Sequence, residues 1–269
     1  MVIERIHEPA KDPFGAPPLL FVHGACHGAW CWGDHFLRYF ADQGYDAHAF
    51  SLRGHGGDDR GWRLRFFTEG QYLDDLQREV DRFKRPPILI GHSIGARLVQ
   101  RHAARHGAPA VVLLTPPPPT GLHRSALRLF YRVPEAMVPN HLLLTWSFLS
   151  KFRWYARYAF FRGDLPDAEL DRHRARLGDE AAVAYGQMLF PIPRRDRRIT
   201  CPALVLAAEA DAIFTHAEVL ATAREVSGRC VLFPDMAHDV MLDRDWRQAA
   251  EAILAWLAER GFGRRVTRG

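Results

Sequence analysis

The stretch Pro87-Ile88-Leu89-Ile90-Gly91-His92-Ser93-Ile94-Gly95-Ala96 decides the fold of this chain. An apolar run leads into the pattern Gly-x-Ser-x-Gly, and a helical pattern follows it. The two glycines permit a sharp turn that a side chain would obstruct. Such a turn between a strand and a helix exposes a serine hydroxyl at the end of the strand, so Ser93 is predicted to be a nucleophile.

Other apolar runs predict the remaining strands of a sheet, at 19–22, 45–50, 110–114, 203–207 and 230–233. Continuous apolar runs, in contrast to alternating ones, are typical of parallel strands covered on both faces. Helical patterns over 95–106 and 245–260 end at Gly107 and Gly261, and glycine is suited to a helix C-terminus. This alternation predicts an α/β fold with a doubly wound, mostly parallel sheet.

The alternation breaks between about Thr120 and Arg198. This region opens with Pro116–Pro119, closes near Pro191-Ile192-Pro193, and contains no clear strand. Because the strand pattern resumes directly afterwards, we expect residues 119–198 to form a helical cap inserted into a core of residues 1–118 and 199–269. A separate helical domain or two further strand–helix units are the alternatives. The region is rich in arginine and in aromatic residues, namely Phe130, Tyr131, Trp146, Phe148, Phe152, Trp154, Tyr155, Tyr158, Phe160 and Phe161.

Composition narrows the functional class. The 269 residues are 48% hydrophobic and 25% charged, with a net charge of +5 carried almost entirely by arginine. No nucleic-acid-binding motif accompanies this charge, so we expect solvated arginines and no nucleic-acid partner. The N-terminus lacks the apolar core of a signal peptide, and the apolar stretch at 142–149 is far shorter than the ~20 residues that span a bilayer. A cytoplasmic protein without membrane insertion is predicted; the oligomeric state is left open.

A serine nucleophile needs a base, and the base needs an acid that orients it. His238 is the predicted base, because it follows the last strand candidate and precedes the last helix, where a loop reaches the carboxyl edge of the sheet. Asp211 is the predicted acid, because it ends the strand before that loop. Glu209 is the second choice, whereas Asp235 and Asp239 are expected to cap local turns.

The oxyanion of an acyl-transfer intermediate needs two backbone N–H donors. Ile94 follows the nucleophile at the start of a helix and is predicted to supply one. The loop His23-Gly24-Ala25-Cys26-His27-Gly28 after the first buried strand should supply the other. Ala25 is the expected donor there, with Cys26 in reserve. The histidines and cysteines of this loop could alternatively be metal ligands, but their spacing matches no zinc pattern, so neither a metal nor a cofactor is expected.

These signatures together resemble the α/β-hydrolase superfamily over nearly the whole chain. The resemblance rests on His23-Gly24-Ala25, on Gly91-His92-Ser93-Ile94-Gly95, and on Asp211 and His238 in that order; Ser51-Leu52-Arg53-Gly54-His55-Gly56 is similar to a further family loop. Two departures are Ser51, where the family more often has Asp, and Ala237, where it commonly has Gly.

The segment from His23 to Trp32 is similar to the plant methylesterase and hydroxynitrile-lyase group. In the lyases of that group, a lysine near the catalytic histidine and a threonine beside the oxyanion position support the departure of cyanide. This chain has Asp239 and Gly24 there, so the resemblance favours the esterase branch.

The leading hypothesis is therefore a carboxylic ester hydrolase that uses Ser93, His238 and Asp211, with an apolar or aromatic small-molecule ester as substrate. Lactone, thioester or C–C bond hydrolysis and perhydrolysis could use the same triad. A hydroxynitrile lyase or a non-catalytic ligand receptor is also considered. The arginines of the 119–198 region, such as Arg124, Arg128, Arg153 and Arg157, could bind anionic substrates or acidic membranes, or be only surface residues.

Overall fold

The computed structural model describes residues 4–57, 61–135 and 152–264. These residues form one sheet of seven strands: β1 (Arg5–Glu8), β2 (Leu19–Val22), β3 (Ala47–Phe50), β4 (Ile88–His92), β5 (Val111–Leu114), β6 (Ala203–Ala208) and β7 (Arg229–Phe233). The strand order is β1-β3-β2-β4-β5-β6-β7, and every neighbouring pair is parallel except β1 and β3. All six strands expected from the apolar runs are present, and the predicted mostly parallel sheet is confirmed.

Strand β1 was not predicted from the sequence. It is only four residues long, Arg5-Ile6-His7-Glu8, and its residues alternate between exposed and half-buried. It pairs with β3 alone, at the edge of the sheet. An edge strand needs few buried side chains, so it leaves no long apolar run in the sequence.

Ten α-helices lie between and around these strands in the described residues. They are α1 (Trp30–Gly33), α2 (Phe36–Asp42), α3 (Glu69–Val80), α4 (Ile94–His106), α5 (His123–Arg132), α6 (Arg153–Phe160), α7 (Asp167–Arg174), α8 (Ala182–Met188), α9 (His216–Glu225) and α10 (Trp246–Glu259). Short 3₁₀ turns occupy Gly61–Phe66, Arg194–Asp196 and Val240–Leu242. The two helices expected from the sequence correspond to α4 and α10. Both helices begin and end within one residue of the predicted positions. Gly107 follows α4 with φ of 77°, as expected of a glycine at a helix C-terminus.

The core lies on both faces of the sheet. Leu19 and Phe21 of β2 pack in one apolar cluster, whereas Leu20 of the same strand packs in the other. Successive side chains of a strand point to opposite faces, so a strand buried on both faces is apolar at every position. This explains why the buried strands appear in the sequence as continuous apolar runs.

The chain between β5 and β6 contains only helices and turns in its described part, and β5 pairs directly with β6. The alternative of two further strand–helix units therefore finds no support there. Leu122 and Met188 pack in one sheet cluster, and Ala156 and Leu170 pack in the other. The inserted helices thus share both cores with the sheet. The apolar stretch 142–149, with Trp146 and Phe148, lies outside the described residues.

The order of the strands determines where a site can form. From β2 the chain first moves outward to β3, then returns to β4 on the other side of β2 and moves outward again. The carboxyl ends of β2 and β4 are neighbours at this reversal, where ligands bind in open α/β sheets. The Ser93 turn and the His23–Gly28 loop follow those two strands. No helix among the described residues has both the length and the apolar character required to cross a membrane.

Candidate active site

Ser93 lies between β4 and α4 in a strained backbone conformation, with φ of 51° and ψ of −122°. A non-glycine residue at positive φ costs about 1–3 kcal/mol, so the surrounding structure must enforce it. A Cβ atom on Gly91 would lie 2.5 Å from the carbonyl oxygen of Gly95, and one on Gly95 would lie 2.3 Å from that of His23. Both glycines are therefore required by close backbone contacts on either side of the serine.

Asp211 and His238 are brought together as the sequence predicted. His238 Nδ1 lies 2.8 Å from Asp211 Oδ2, and both side chains are buried. The other carboxylate oxygen of Asp211 accepts the backbone N–H groups of Ile213 and Phe214 at 2.7 and 3.0 Å. Glu209, the second choice for the acid, is exposed. Its backbone N–H donates a hydrogen bond to the carbonyl of Phe233.

The environment of His238 keeps the pKa of its imidazole above the ordinary value. Burial by itself lowers that pKa, but the charge of Asp211, its hydrogen bond and the charge of Asp239 together outweigh the effect of burial. Since the Asp211 carboxylate is an acceptor, Nδ1 carries the proton of the neutral ring and Nε2 presents a lone pair.

Ser93 and His238 line the same cavity, which measures about 70 Å³. Most of its other walls are apolar and come from the inserted helices and from the loop that follows β6; they include Leu122, Leu129, Tyr155, Phe160, Ile213 and Phe214. No hydrogen bond joins the Ser93 hydroxyl to His238 in the described chain. Contacts between a nucleophile and its base are often longer without substrate than in a reacting complex.

Hydrogen bonding in the loop after β2 distinguishes between the two expected oxyanion donors. The Cys26 N–H donates to Glu180 Oε2 at 3.3 Å, so it is already occupied. The N–H groups of Ala25 and Ile94 have no acceptor among the described residues. Backbone donors away from water are nearly always paired, so two unpaired N–H groups beside a serine are available to a ligand. Ala25 is thus the better donor of the two.

His23 fixes the peptide that carries the Ala25 N–H. Its Nδ1 donates to the carbonyl of Gly24 at 2.7 Å, and its Nε2 accepts the N–H of Leu52 at 2.9 Å. Burial lowers the pKa of His23 well below the ordinary value, and the neighbouring His55 lowers it further. The ring is therefore neutral, as its one donor and one acceptor contact require.

His27 and Asp239 form a buried pair that the sequence analysis missed. His27 Nε2 lies 3.0 Å from Asp239 Oδ2, and His27 Nδ1 lies 2.7 Å from the carbonyl oxygen of Ala25. The expectation that Asp239 caps a local turn was wrong: its side chain is buried and reaches the loop after β2. Burial raises the pKa of Asp239, but His27, His92 and His238 together lower it below the ordinary value.

The ring of His27 connects two loops. A carbonyl oxygen and a carboxylate accept hydrogen bonds, and one ring nitrogen of His27 lies beside each of them. The ring thus links the loop that carries His238, through Asp239, to the Ala25 peptide. Only a tertiary contact across 212 residues could have revealed this link.

His92, next to Ser93, supports the loop that carries His238. Its Nε2 donates to the backbone carbonyl of His238 at 3.0 Å, and the Thr115 hydroxyl donates to the same oxygen at 3.1 Å. Burial, and next the nearby His238, lower the pKa of His92 to about 3, so its ring is neutral.

Two sets of residues in the described part of the chain are spaced closely enough to hold a metal ion: His7, Asp46 and His48 at the sheet edge, and His92, His238 and Asp239. In the second set, His92 donates to a carbonyl, His238 to Asp211, and Asp239 pairs with His27. The alternative set His23, Cys26, His27 and Cys31 is not a ligand cluster, since both ring nitrogens of each of its histidines bond to protein atoms.

Comparison with known proteins now gives the family. Residues 19–252 match the model of the alpha/beta hydrolase family. The chain belongs to the alpha/beta hydrolase family. The resemblance drawn from the sequence motifs is thereby confirmed, together with the fold that it implied.

Curated relatives match parts of this alpha/beta hydrolase. Methylesterase 10 of Arabidopsis thaliana is 35% identical over 79 residues, which are 28% of this chain and 28% of that protein. Epoxide hydrolase 3 of Xenopus tropicalis is 30% identical over 125 residues, which are 44% of this chain and 33% of that protein. The chain thus spans about a third or less of the length of these relatives.

Solved structures resemble the alpha/beta hydrolase over nearly its whole length. A bromoperoxidase from Bacillus anthracis has a TM-score of 0.76 and 17% identity, with 95% of each chain covered. A monoacylglycerol lipase from Paleococcus ferrophilus has a TM-score of 0.71 and 20% identity, with 97% of this chain and all of the other covered. At these identities the likeness shows the fold alone.

Proposed function

We propose that this protein is a serine hydrolase that cleaves a carboxylic ester through an acyl-enzyme intermediate. The observation that carries the proposal is the joint placement of Ser93 and His238 on one cavity, with Asp211 hydrogen-bonded to the far side of the imidazole. The unpaired N–H groups of Ala25 and Ile94 support it further. The partly matching methylesterase is consistent with this chemistry.

The reaction follows from these positions. His238 Nε2 takes the hydroxyl proton of Ser93 while Oγ bonds to the acyl carbon, and the carbonyl oxygen becomes an oxyanion. The Ala25 and Ile94 N–H groups bind that oxyanion, and Asp211 stabilises the imidazolium. His238 then protonates the departing alcohol, and a water molecule repeats the sequence to release the acid. Every proton moves between Ser93, His238, substrate and water, so the cycle requires no metal or cofactor.

Residues 119–198 are proposed to act as the cap that selects the substrate. Leu122, Ser125, Leu129 and Tyr155 from this region line the cavity. The cavity volume of about 70 Å³ favours a compact acyl portion. Its largely apolar walls favour an apolar or aromatic ester.

Anionic substrates are not favoured by the arginines of this region. Arg128 pairs with Glu218 at 2.7 Å, and Arg157 pairs with Asp167 at 2.7 Å. Arg153 pairs with Asp167 and Asp171. No lysine or arginine is among the described residues that line the cavity. These cations are therefore best assigned to the protein surface.

A hydroxynitrile lyase is the less favoured alternative. The resemblance places a lysine beside the catalytic histidine in such lyases, to support the departing cyanide. Here the corresponding residue is Asp239, a buried carboxylate already paired with His27. A negative charge at this place opposes the release of an anion. Lactone, thioester and C–C bond hydrolysis share the proposed triad and differ in substrate only.

Labelling and hydrolysis test the proposal together. A fluorophosphonate should modify the wild-type protein and leave Ser93→Ala unmodified, and p-nitrophenyl esters of short acyl chains should be hydrolysed by the wild type but not by Ser93→Ala. Ser227→Ala is the matched control, because Ser227 also lies at positive φ but does not line the cavity. Equal labelling of the wild type and Ser93→Ala would refute a Ser93 nucleophile.

A further inference from the structure

Glu180 is a buried carboxylate at the wall of the proposed active site. It lies between α7 and α8 in the inserted region, is 1% exposed, and lines the cavity with Ser93 and His238. A carboxylate is almost never buried without partners because its desolvation is costly. Sequence reasoning gave no indication of it, since the acidic residues around it look like those of a solvated surface.

The hydrogen bonds of Glu180 all come from donor groups. Its Oε1 accepts the Tyr72 hydroxyl at 2.8 Å and the Ala181 N–H at 2.7 Å, and its Oε2 accepts the Cys26 N–H at 3.3 Å. His55 Nε2 lies 3.4 Å from Oε2 and pairs with it. Burial by itself lowers the pKa of His55, but the charge of Glu180 is the largest of the effects that raise it above the ordinary value. Both oxygens thus face donors, and none of these contacts offers an acceptor for a carboxyl proton.

Glu180 also holds the loop that carries the oxyanion donor. Cys26 has a φ of 65°, a conformation that costs a non-glycine residue about 1–3 kcal/mol and persists only if enforced. Its N–H is taken by Glu180, and its carbonyl accepts the Gly178 N–H at 2.8 Å. The segment 178–180 therefore forms hydrogen bonds with both the N–H and the carbonyl of Cys26, the residue next to Ala25.

Glu180 lines the cavity, whereas its ion-pair partner His55 does not. The described cavity residues include no lysine or arginine, and both ring nitrogens of His27 are occupied by Asp239 and by the Ala25 carbonyl. A like charge brought within several ångströms of a buried carboxylate is repelled much more strongly than in water. An acyl group with its own carboxylate would meet this repulsion, whereas an uncharged one would not.

We propose that Glu180 is a specificity-determining and positioning residue, which excludes anionic acyl groups from the cavity and holds the oxyanion loop in its active shape. This inference rests on the proposed function and names its substrate class: esters with a compact, uncharged acyl group. The same role makes the inserted region part of the oxyanion site, because Glu180 holds the loop after β2, which carries Ala25.

Paired substrates test the inference. p-Nitrophenyl butyrate and the p-nitrophenyl half-ester of succinate share a leaving group and differ by a terminal carboxylate. We expect the wild type to prefer the butyrate in kcat/KM, and Glu180→Gln to reduce this preference about ten- to a hundredfold, since it removes the charge while keeping the shape. Part of this change should be a lower KM of Glu180→Gln for the anionic ester.

Controls separate charge from structure. Glu169→Gln removes the same charge from a half-buried position on α7 that does not line the cavity, and it should leave the preference unchanged. Tyr72→Phe removes one donor to Glu180 but keeps the carboxylate, so it should also keep the preference. A general loss of fold would lower the rates of both esters in parallel and leave their ratio unchanged.

Inhibition of the wild type provides a measurement that needs no variant. Boronic acids form tetrahedral adducts with a serine, and a neutral alkylboronic acid should bind at least about tenfold more tightly than one that ends in a carboxylate. Equal inhibition, or an unchanged preference in a folded Glu180→Gln, would overturn the role of Glu180 in specificity. Loss of labelling specificity at Ser93 would instead overturn the proposed function.

Discussion

Asp211 and His238 are 27 residues apart in the chain, yet their side chains meet at 2.8 Å in a buried contact. The contact exists because β6 and β7 are parallel neighbours, so the loops after them emerge at the same edge of the sheet. Two backbone N–H groups fix the Asp211 carboxylate, which in turn fixes the imidazole. The pair is therefore rigid before any substrate arrives.

Asp211→Asn should lower kcat for a p-nitrophenyl ester by about 10³–10⁴-fold while the protein remains folded. The amide can present an N–H to His238 Nδ1, which favours the tautomer whose Nε2 carries a proton and cannot act as a base. Steady-state kinetics and circular dichroism measure the two properties. Glu209→Gln is the matched control and should change kcat little, since Glu209 is exposed; a larger loss in that variant would identify Glu209 as the acid.

The pH dependence of kcat/KM should reflect the raised pKa of His238. Activity requires the neutral imidazole, so it should fall as the pH drops through that pKa, with a midpoint above the usual histidine value of 6.5. Asp239→Asn removes one of the charges that raise the pKa, so the acid limb should move to lower pH. A stopped assay across pH 5–9 measures both profiles. An unmoved limb in the variant would argue against an influence of Asp239 on His238.

Ser93→Gly should stabilise the protein relative to Ser93→Ala by about 1 kcal/mol, although both variants should be inactive. Residue 93 has a φ of 51°, which glycine adopts without the strain that a Cβ atom causes. Urea unfolding measures the difference in free energy of unfolding. The same two substitutions at Ser125, inside α5, should give the opposite order by about 1 kcal/mol, because glycine is unfavourable within a helix.

His27 and Asp239 should be strongly coupled in stability. Either His27→Phe or Asp239→Leu leaves one buried member of the pair without its partner and should lower the free energy of unfolding by about 3–5 kcal/mol. The double variant removes both members, so it should lower the free energy of unfolding by much less than the sum of the two single variants. Urea unfolding of all four proteins gives the coupling. Additive losses would show that the two side chains do not act as an ion pair.

The sequence by itself predicted the elements whose signals are local. Six strands, α4 and α10 follow from apolar runs and helix-ending glycines. Ser93 was predicted from the two glycines that flank it, which close backbone contacts require. His238 and Asp211 were predicted from their positions directly after predicted strands. These features are readable because strand burial and tight turns constrain consecutive residues.

Other features depended on contacts that no local pattern encodes. Strand β1 is too short and too exposed to leave an apolar run. Asp239 looked like a turn residue because its partner, His27, is distant in sequence. Glu180 was not singled out from the sequence, because the residue that it binds, Cys26, lies 154 residues earlier in the chain.

The amino-acid sequence thus predicted the sheet, the turn at Ser93 and the candidates for base and acid, since each rests on the backbone preferences of neighbouring residues. That the N–H of Ala25 is available, and that of Cys26 is not, depends on contacts made in the folded protein. The tertiary structure alone brought a buried carboxylate from the inserted region to the cavity. The physical reason is that burial and hydrogen-bond pairing are properties of the assembled fold, where a group takes its charge state and its partner from residues far along the chain.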